Sequence, residues 1–421
     1  MATTPDLAAV VADVWRRESP HVLAALLRRH GDLGDCEDAV QEALEAAVRQ
    51  WPADGVPGNP RGWLVRVASR RLVDRVRSRT ARERREVAEA VALRLDDPVG
   101  AARAGADAEG ADADDTLRLM LLCCHDSLSR PSQVALTLRC VAGLTTEQVA
   151  AAYLVPVPTM AQRLSRARAV LRAGGARFEL PSPAALPARV GAVLDVCHAT
   201  FTQGYALSGG DAVVDADLAG EAVRVTRLLL ASVPDHAEVA GALALMLLTH
   251  ARTPARTDGA GDLVPLRDQD RTRWDAAMTA EGLALLERTL PRGHVGRYQL
   301  EASIAAVHAQ ARRWDETDWH QIALLYAMLH DVAPSPAVTL NRAVAVAMSR
   351  TPQEGLDLLA PLLADPATRR LHRVHAVRAH LLEDVGDLPA AADAYREAAR
   401  LTASRPEQRY LHRRAERVAA R

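Results

Sequence analysis

Apolar positions along this chain recur at three- and four-residue spacing far more often than at every second position, which predicts helices rather than strands. In NPRGWLVRVASRRLVDRVR (59–77), Leu64, Val67, Ala68, Leu72 and Val76 form one stripe, and Arg61, Arg66, Arg70 and Arg77 fall on other faces. Asn59 offers a capping oxygen, and Pro60 suits a first turn, where its missing N–H costs nothing. In DCEDAVQEALEAAVRQW (35–51), Asp35 is the expected cap. Val40, Ala43, Leu44, Ala47, Val48 and Trp51 make the apolar face, and Glu37, Asp38, Gln41, Glu42 and Glu45 the polar one. In GLTTEQVAAAYLVPVPTMAQRLSRARAVLR (143–172), Thr145 with Gln148 forms a capping box for a short helix. The VPVP turn follows, and Pro158 suits the first turn of a second helix. Met160, Leu164, Ala167 and Leu171 hold that helix to its core.

Composition supports an all-α class: aromatic residues are 3% of 421, and β-branched runs bounded by Gly and Pro are scarce. The length allows several domains. The net charge of −1 conceals local asymmetry, because residues 61 to 85 hold ten arginines against Asp74 and Glu83 alone. The chain has no lysine. No leader-like start and no apolar run near twenty residues occurs, so a cytoplasmic protein without a membrane span is expected. The cysteines at 36, 123, 124, 140 and 197 do not form a disulfide framework. Cys123, Cys124 and His125 lack the two-residue spacing of a zinc knuckle and read as small residues of a helix core; no metal or cofactor is expected.

Four regions separate along the chain. Residues 6–86 are helical and increasingly basic, whereas 87–114 are rich in Ala, Gly and Asp without periodicity and read as an acidic flexible linker. Residues 115–177 are helical and end basic; FELPSPAALP then marks a boundary, and 187–421 form a long helical series. In that series LLYAMLHDVAPSP, LDLLAPLLADPA and AADAYREAARLTAS each resemble the second helix of a hairpin, at intervals of about 32–35 residues. Gly386, Ala391, Tyr395 and Ala398 fit the small and aromatic packing sites of a tetratricopeptide repeat. The members are degenerate rather than a clean array.

Three constellations carry chemistry. The acidic face of 35–51 reads either as a solvated surface or as a dock for a basic partner. The arginine-rich face of 59–85 reads as a phosphate-contacting surface, with Trp63 either in the core or a platform for a base. In 157–172, Thr159, Gln162, Arg163, Ser165 and Arg166 are placed for a major groove, and Arg168 and Arg172 for phosphates; the competing reading is an ordinary αα-corner. No nucleophile with its base, glycine-rich phosphate loop or metal-ligand cluster occurs, so an enzyme is not expected. His372, His375 and His380 read as ordinary helix histidines.

These three blocks, in this order over residues 8–175, resemble an extracytoplasmic-function sigma factor of the bacterial sigma-70 family. LALMLLTHARTPAR, DQDRTRWD and TLNRAVAVA, followed by the repeat, are similar to the extension of sigma factor group forty-two, although Gln203 stands where that group has an acidic residue. The resemblance implies two small helical sigma domains, region 2 and a helix-turn-helix region 4, followed by a regulatory tetratricopeptide-like domain. Asp35, Glu37, Asp38, Gln41 and Glu42 would dock on the β′ clamp helices of core RNA polymerase, whose β flap is a further partner. Asn59, Arg61, Trp63, Arg66, Ser69 and Arg70 would lie near the melted minus-ten strand. Thr159, Gln162, Arg163, Arg166 and Arg168 would serve the minus-thirty-five duplex. The resemblance further implies promoter DNA and a small YCII-like protein as partners, with regulation in cis by the extra domain. An acidic linker including Asp112, Asp114 and Asp115 would run through the polymerase's positive channels.

The competing class is a one-component helix-turn-helix regulator with a helical sensor domain. It has no need of the first 80 residues, which a sigma factor requires.

Overall fold

The computed structural model describes residues 7–88, 108–153, 155–207, 218–258, 264–293, 295–402 and 404–420. Among these, the chain is helical and contains no strand. It divides into two compact units, Met1–Ala199 and Thr200–Arg421.

The first unit opens with α1 (Leu7–His30), α2 (Leu33–Asp54) and α3 (Pro60–Ala88). Gly31, at φ 75°, ends α1, and the chain turns at once into α2. The cap of α2 is Asp32 rather than the expected Asp35: its side chain accepts from the Asp35 backbone N–H at 2.8 Å. The left-handed glycine directly before it starts the helix one turn early. Asn59 does cap α3, accepting from Gly62 N–H at 2.8 Å. Leu64, Ala68 and Leu72 face the core with Val40, Ala43 and Ala47, as their spacing requires. Val48, expected inside, is 54% exposed; Cys36 and Ala39 are buried in addition to the expected positions. The Val76 side chain lies outside the described residues.

The unit continues with α4 (Ala108–Cys123), α5 (Arg130–Cys140), α6 (Thr146–Ala152) and α7 (Val157–Ala173). The Thr145–Gln148 capping box forms as read, and Met160, Leu164, Ala167 and Leu171 are buried. Most of the 87–114 segment lies outside the described residues; α3 reaches Ala88 and α4 begins at Ala108. Asp115 is not a free linker acid. It is 3% exposed and pairs with Arg118 at 2.8 Å and with Arg28 of α1. The next helix, α8 (Leu186–Leu207), begins in the same unit, where Arg189 pairs with Asp126 at 2.8 Å and Arg130 with Asp195 at 3.1 Å. All five cysteines are buried and unbridged.

The second unit runs through α9 (Leu218–Ser232), α10 (Ala237–His250), α11 (Ala276–Thr289), α12 (Arg297–Gln310), α13 (Trp319–Val332), α14 (Pro336–Ser349), α15 (Pro352–Ala364), α16 (His372–Val385), α17 (Leu388–Leu401) and α18 (Arg405–Ala419). Ser335, Thr351, Asp387 and Ser404 cap α14, α15, α17 and α18 through their side chains, with proline in the first turn each time. The three segments singled out by their recurrence fall in α13, α15 and α17. Small residues let the helices close: a Cβ on Gly355 would sit 2.7 Å from Ala347 Cβ and 2.8 Å from the Ala343 carbonyl oxygen. Tyr395, fully buried, anchors the last core with Ala391 and Ala398. Its hydroxyl lies 2.8 Å from His380 Nδ1 and donates to Glu383 Oε2 at 3.0 Å, and Glu383 also binds Arg414. His372 and His375 are likewise engaged, by Glu407 at 3.2 Å and the Arg369 carbonyl oxygen at 2.7 Å.

Tyr395→Phe leaves the packing and removes this hydroxyl, so it is expected to destabilise the second unit by about 1–3 kcal/mol. Thermal melting read by circular dichroism checks this, and an unshifted transition would contradict the role given to the hydroxyl.

Candidate nucleic-acid interface

Each basic surface of the first unit rests on a helix whose opposite stripe is buried. On α3, Leu64, Ala68 and Leu72 face inward, which leaves Arg66, Arg70 and Arg77 exposed. Those three have no ion pair among the described residues, whereas Arg75, on the side facing α2, binds Asp38 at 2.8 Å and also Glu42. Arg61 is half-buried and donates to Glu18 Oε2 at 2.6 Å. Trp63 is half-buried, with its ring meeting that of Trp51 edge-on, centroids 5.4 Å apart. Ser69 Oγ is buried without a partner. Asn59 is exposed, with its side-chain oxygen used in the helix cap. The free cations therefore form a strip along α3 beside an indole that keeps one part outside the core.

On α7, Thr159, Gln162, Ser165 and Arg166 are exposed and Arg163 is half-buried, a set of donors and acceptors on one open helix face. Neither Arg163 nor Arg166 has an ion pair among the described residues. Arg168 and Arg172, on the neighbouring face, point elsewhere. Arg168 pairs with Glu37 of α2 at 2.7 Å, and Arg172 donates to Asp32 at 2.7 and 3.1 Å. Arg139 of α5 meets the other Glu37 oxygen at 2.8 Å.

Glu37 is only 3% exposed, clamped between two guanidiniums, with Cys140 Sγ 3.7 Å from the same oxygen that Arg168 uses. The expectations for Glu37 and Arg168 thus meet a specific geometry: the two are placed on each other, not on open surfaces. Burial works against the Arg168 charge, yet the Glu37 carboxylate raises its pKa above the usual arginine value. The hydrogen bond from Arg172 holds the Asp32 carboxyl below its ordinary 3.8 against the opposing effect of burial.

Two further contacts join the same parts. Trp15 Nε1 donates to the Gly143 carbonyl oxygen at 3.0 Å, and Gly143, at φ 72°, leaves room for Ser19, whose Oγ would stand 2.6 Å from an added Cβ. Of the acidic face, Asp38 and Glu42 remain partly open although held by Arg75, and Gln41 and Asp35 are half-buried. Sequence reading missed Asp32, Arg75, Arg139 and Trp15. Only Arg75 left a local signal, as one of ten arginines in its segment.

Comparison with known proteins places these parts. The model described as sigma-70 region 2 matches residues 14–82, and that for sigma-70 region 4 matches 118–171. A family of unknown function, DUF6596, matches 189–290. The chain is 38% identical over 405 residues to the uncharacterized protein R00370 of Rhizobium meliloti, covering 95% of this chain and 94% of that one. It is 31% identical over 158 residues to the probable ECF RNA polymerase sigma factor SigI of Mycobacterium tuberculosis, covering 38% of this chain and 53% of that one. It is 29% identical over 150 residues to the ECF RNA polymerase sigma-E factor of Escherichia coli K12, covering 35% and 78%.

Glu37→Gln removes the charge between Arg139 and Arg168 and strands two guanidiniums, so it is expected to weaken the hold of α5 and α7 on α2 by about 3–5 kcal/mol. Faster amide exchange in α7 reports it; exchange equal to that of the native chain would contradict the clamp. The Asp32–Arg172 contact has its own pH signature. A carboxyl lowered by folding contributes fully above its unfolded value of 3.8 and loses that contribution as pH falls through the still lower folded value. The contact is therefore expected to persist at neutral pH and to fail only in acid, and Asp32→Asn should flatten that part of the stability profile.

Proposed function

Because this chain belongs to one family with the Rhizobium meliloti protein over nearly its whole length and is a sigma factor of the extracytoplasmic-function-like kind within the sigma-70 family, we propose how it works. It binds core RNA polymerase and promoter DNA, as its two sigma regions require. The finer reading is that regions 2 and 4 part from each other to do so. The observation that carries it is the Glu37 clamp: an acid of the polymerase-facing helix and a cation of the DNA-reading helix neutralise each other in the closed unit.

In the open form, Asp35, Glu37, Asp38, Gln41 and Glu42 meet the β′ clamp helices. Arg66 and Arg70 follow the phosphates of the melted minus-ten strand, while Arg61, Asn59, Trp63 and Ser69 lie where an unstacked base is held. Thr159, Gln162, Arg163 and Arg166 read the minus-thirty-five duplex, and Arg168, once released, takes a phosphate. Polymerase supplies the driving force by binding the open form in preference to the closed one, which shifts the population between them. The chain acts by binding and catalyses no reaction of its own. It works inside the cell, where the polymerase is. The second unit, read as a tetratricopeptide-like extension of the group-forty-two kind, regulates in cis and receives a small YCII-like protein.

The test is transcription by core polymerase reconstituted with the full chain, and with a chain ending at Leu207 so that α8 stays whole. Promoter-specific initiation by the full chain is expected, and a change in its extent on truncation gives the sign of cis control. A full chain that binds duplex DNA but not core polymerase would return the one-component regulator. Arg166→Gln is expected to weaken promoter binding by about 1–3 kcal/mol and to relax selectivity at the minus-thirty-five element. Filter binding against altered promoter sequences measures this, and an equal loss on every sequence would make Arg166 a phosphate contact.

A further inference from the structure

Several half-buried arginines of the second unit have no carboxylate partner among the described residues, and three of these belong together. Arg252, Arg256 and Arg271 lie close together around the end of α10 and the segment 264–275. None of them has an ion pair among the described residues. Arg256 is satisfied otherwise: it donates to the Tyr205 carbonyl oxygen at 2.6 Å and lies 3.7 Å from the centre of the Tyr205 ring. Arg271 donates to the carbonyl oxygens of His308 and Ala311 at 2.8 and 2.7 Å, and to Thr317 Oγ1 at 3.2 Å.

Arg252 has no such acceptor. Its Nε is sealed from solvent and has no partner among the described residues, and its guanidinium lies 5.9 Å from the centroid of the Trp274 ring. Trp274 is 9% exposed, with Arg271 also over its ring at 5.2 Å, and its own Nε1 is buried without an acceptor. A backbone bond from Asp275 N–H to the Ala251 carbonyl oxygen, 2.9 Å, ties the tryptophan's strand of chain to the arginine's.

His308 completes the cluster. Its ring stacks on Trp314 and meets Trp319 edge-on at 5.3 Å, and its Nδ1 is buried and unpaired. Burial, with Arg252 and Arg271 nearby, pushes it down to about 3, so it adds no charge at neutral pH. Two neighbouring acids are engaged elsewhere. Glu301 pairs with Arg297 at 2.8 Å, and Glu316 is exposed, 3.3 Å from Arg313 and accepting from Arg312 N–H.

A buried donor without an acceptor costs about 1–3 kcal/mol, and a buried cation without a counter-charge costs more. Here two such donors and three cations gather at one place, walled by aromatic rings and next to a neutral imidazole. We propose that this cluster is a binding site for a small molecule bearing an oxyanion, a phosphate or a carboxylate, whose oxygens accept from Arg252 and Trp274 Nε1. The ligand's charge balances the arginines, and its arrival joins α10, the 264–275 segment and α12. The site gives the second unit a small-molecule input that does not depend on how the sigma regions work.

Titration calorimetry of the full chain tests this with sodium pyrophosphate and, separately, sodium citrate, at constant ionic strength. Saturable binding of one of them is expected, and which one binds separates the phosphate from the carboxylate source. Arg252→Gln is expected to weaken that binding by at least about tenfold. Arg252→Lys retains more of it, and Arg273→Gln, which removes an exposed neighbouring charge, leaves it within about twofold. Absence of saturable heat with both probes overturns the proposal, as does native affinity in Arg252→Gln or a loss in Arg273→Gln equal to it. Should Arg252→Gln not fold, the native titration and the Arg252→Lys chain decide by the same criterion, with native affinity in the lysine variant counting against the site.

Discussion

A single carboxylate, that of Glu37, ties the first three helices to the later part of the first unit. A charge 3% exposed on a helix near the start of the chain must be neutralised where it lies, and no described cation of its own three-helix group does so. Arg139 and Arg168, both from the helix-turn-helix part, do. Burying an ion pair is a weak source of net stability, because desolvation offsets most of the attraction, but removing one partner is costly. An interaction of that kind makes a poor glue and a good latch. It holds two parts in one register and gives them a defined way to separate when water or another partner replaces the missing charge.

The remaining surfaces fall into place around the latch. Cations that serve the closed unit, Arg75, Arg168 and Arg172, are all paired with acids of α2 or the turn before it. Those on the outer strips, Arg66, Arg70 and Arg166, are not paired within the described residues. The basic character of the chain is thereby divided between internal closure and external contact. In the second unit the same accounting fails around Arg252, and that imbalance is what separates a candidate ligand site from packing.

What sequence reveals follows the range of the interaction. The Thr145–Gln148 box, the Asn59 cap and the Met160, Leu164, Ala167, Leu171 stripe were legible because each is decided within one or two helical turns. The open arginines of α3 and the exposed face of α7 were legible for the same reason: a helix that buries one stripe must show the other. Glu37 and Arg168 stand out in the sequence by residue type, but their pairing does not, since 131 positions separate them and periodicity carries no information at that range. The cap at Asp32 is not legible because Gly31 moves the helix start, and Asp115 reads as linker because composition does not show that Arg28 and Arg118 enclose it. The Arg252 cluster is spread over LALMLLTHARTPAR, DQDRTRWD and α12, and its meaning depends on which side chains meet in space.

In the proposed mode of action the two sigma regions are closed on each other when free and open when bound to polymerase. Spin labels at Val48→Cys on α2 and Ala169→Cys on α7, both exposed positions on a chain whose own cysteines are buried, report it by dipolar spectroscopy. One short distance is expected in the free chain, replaced by a longer one on addition of core polymerase. A distance that stays the same in a complex active in promoter-specific transcription would contradict it.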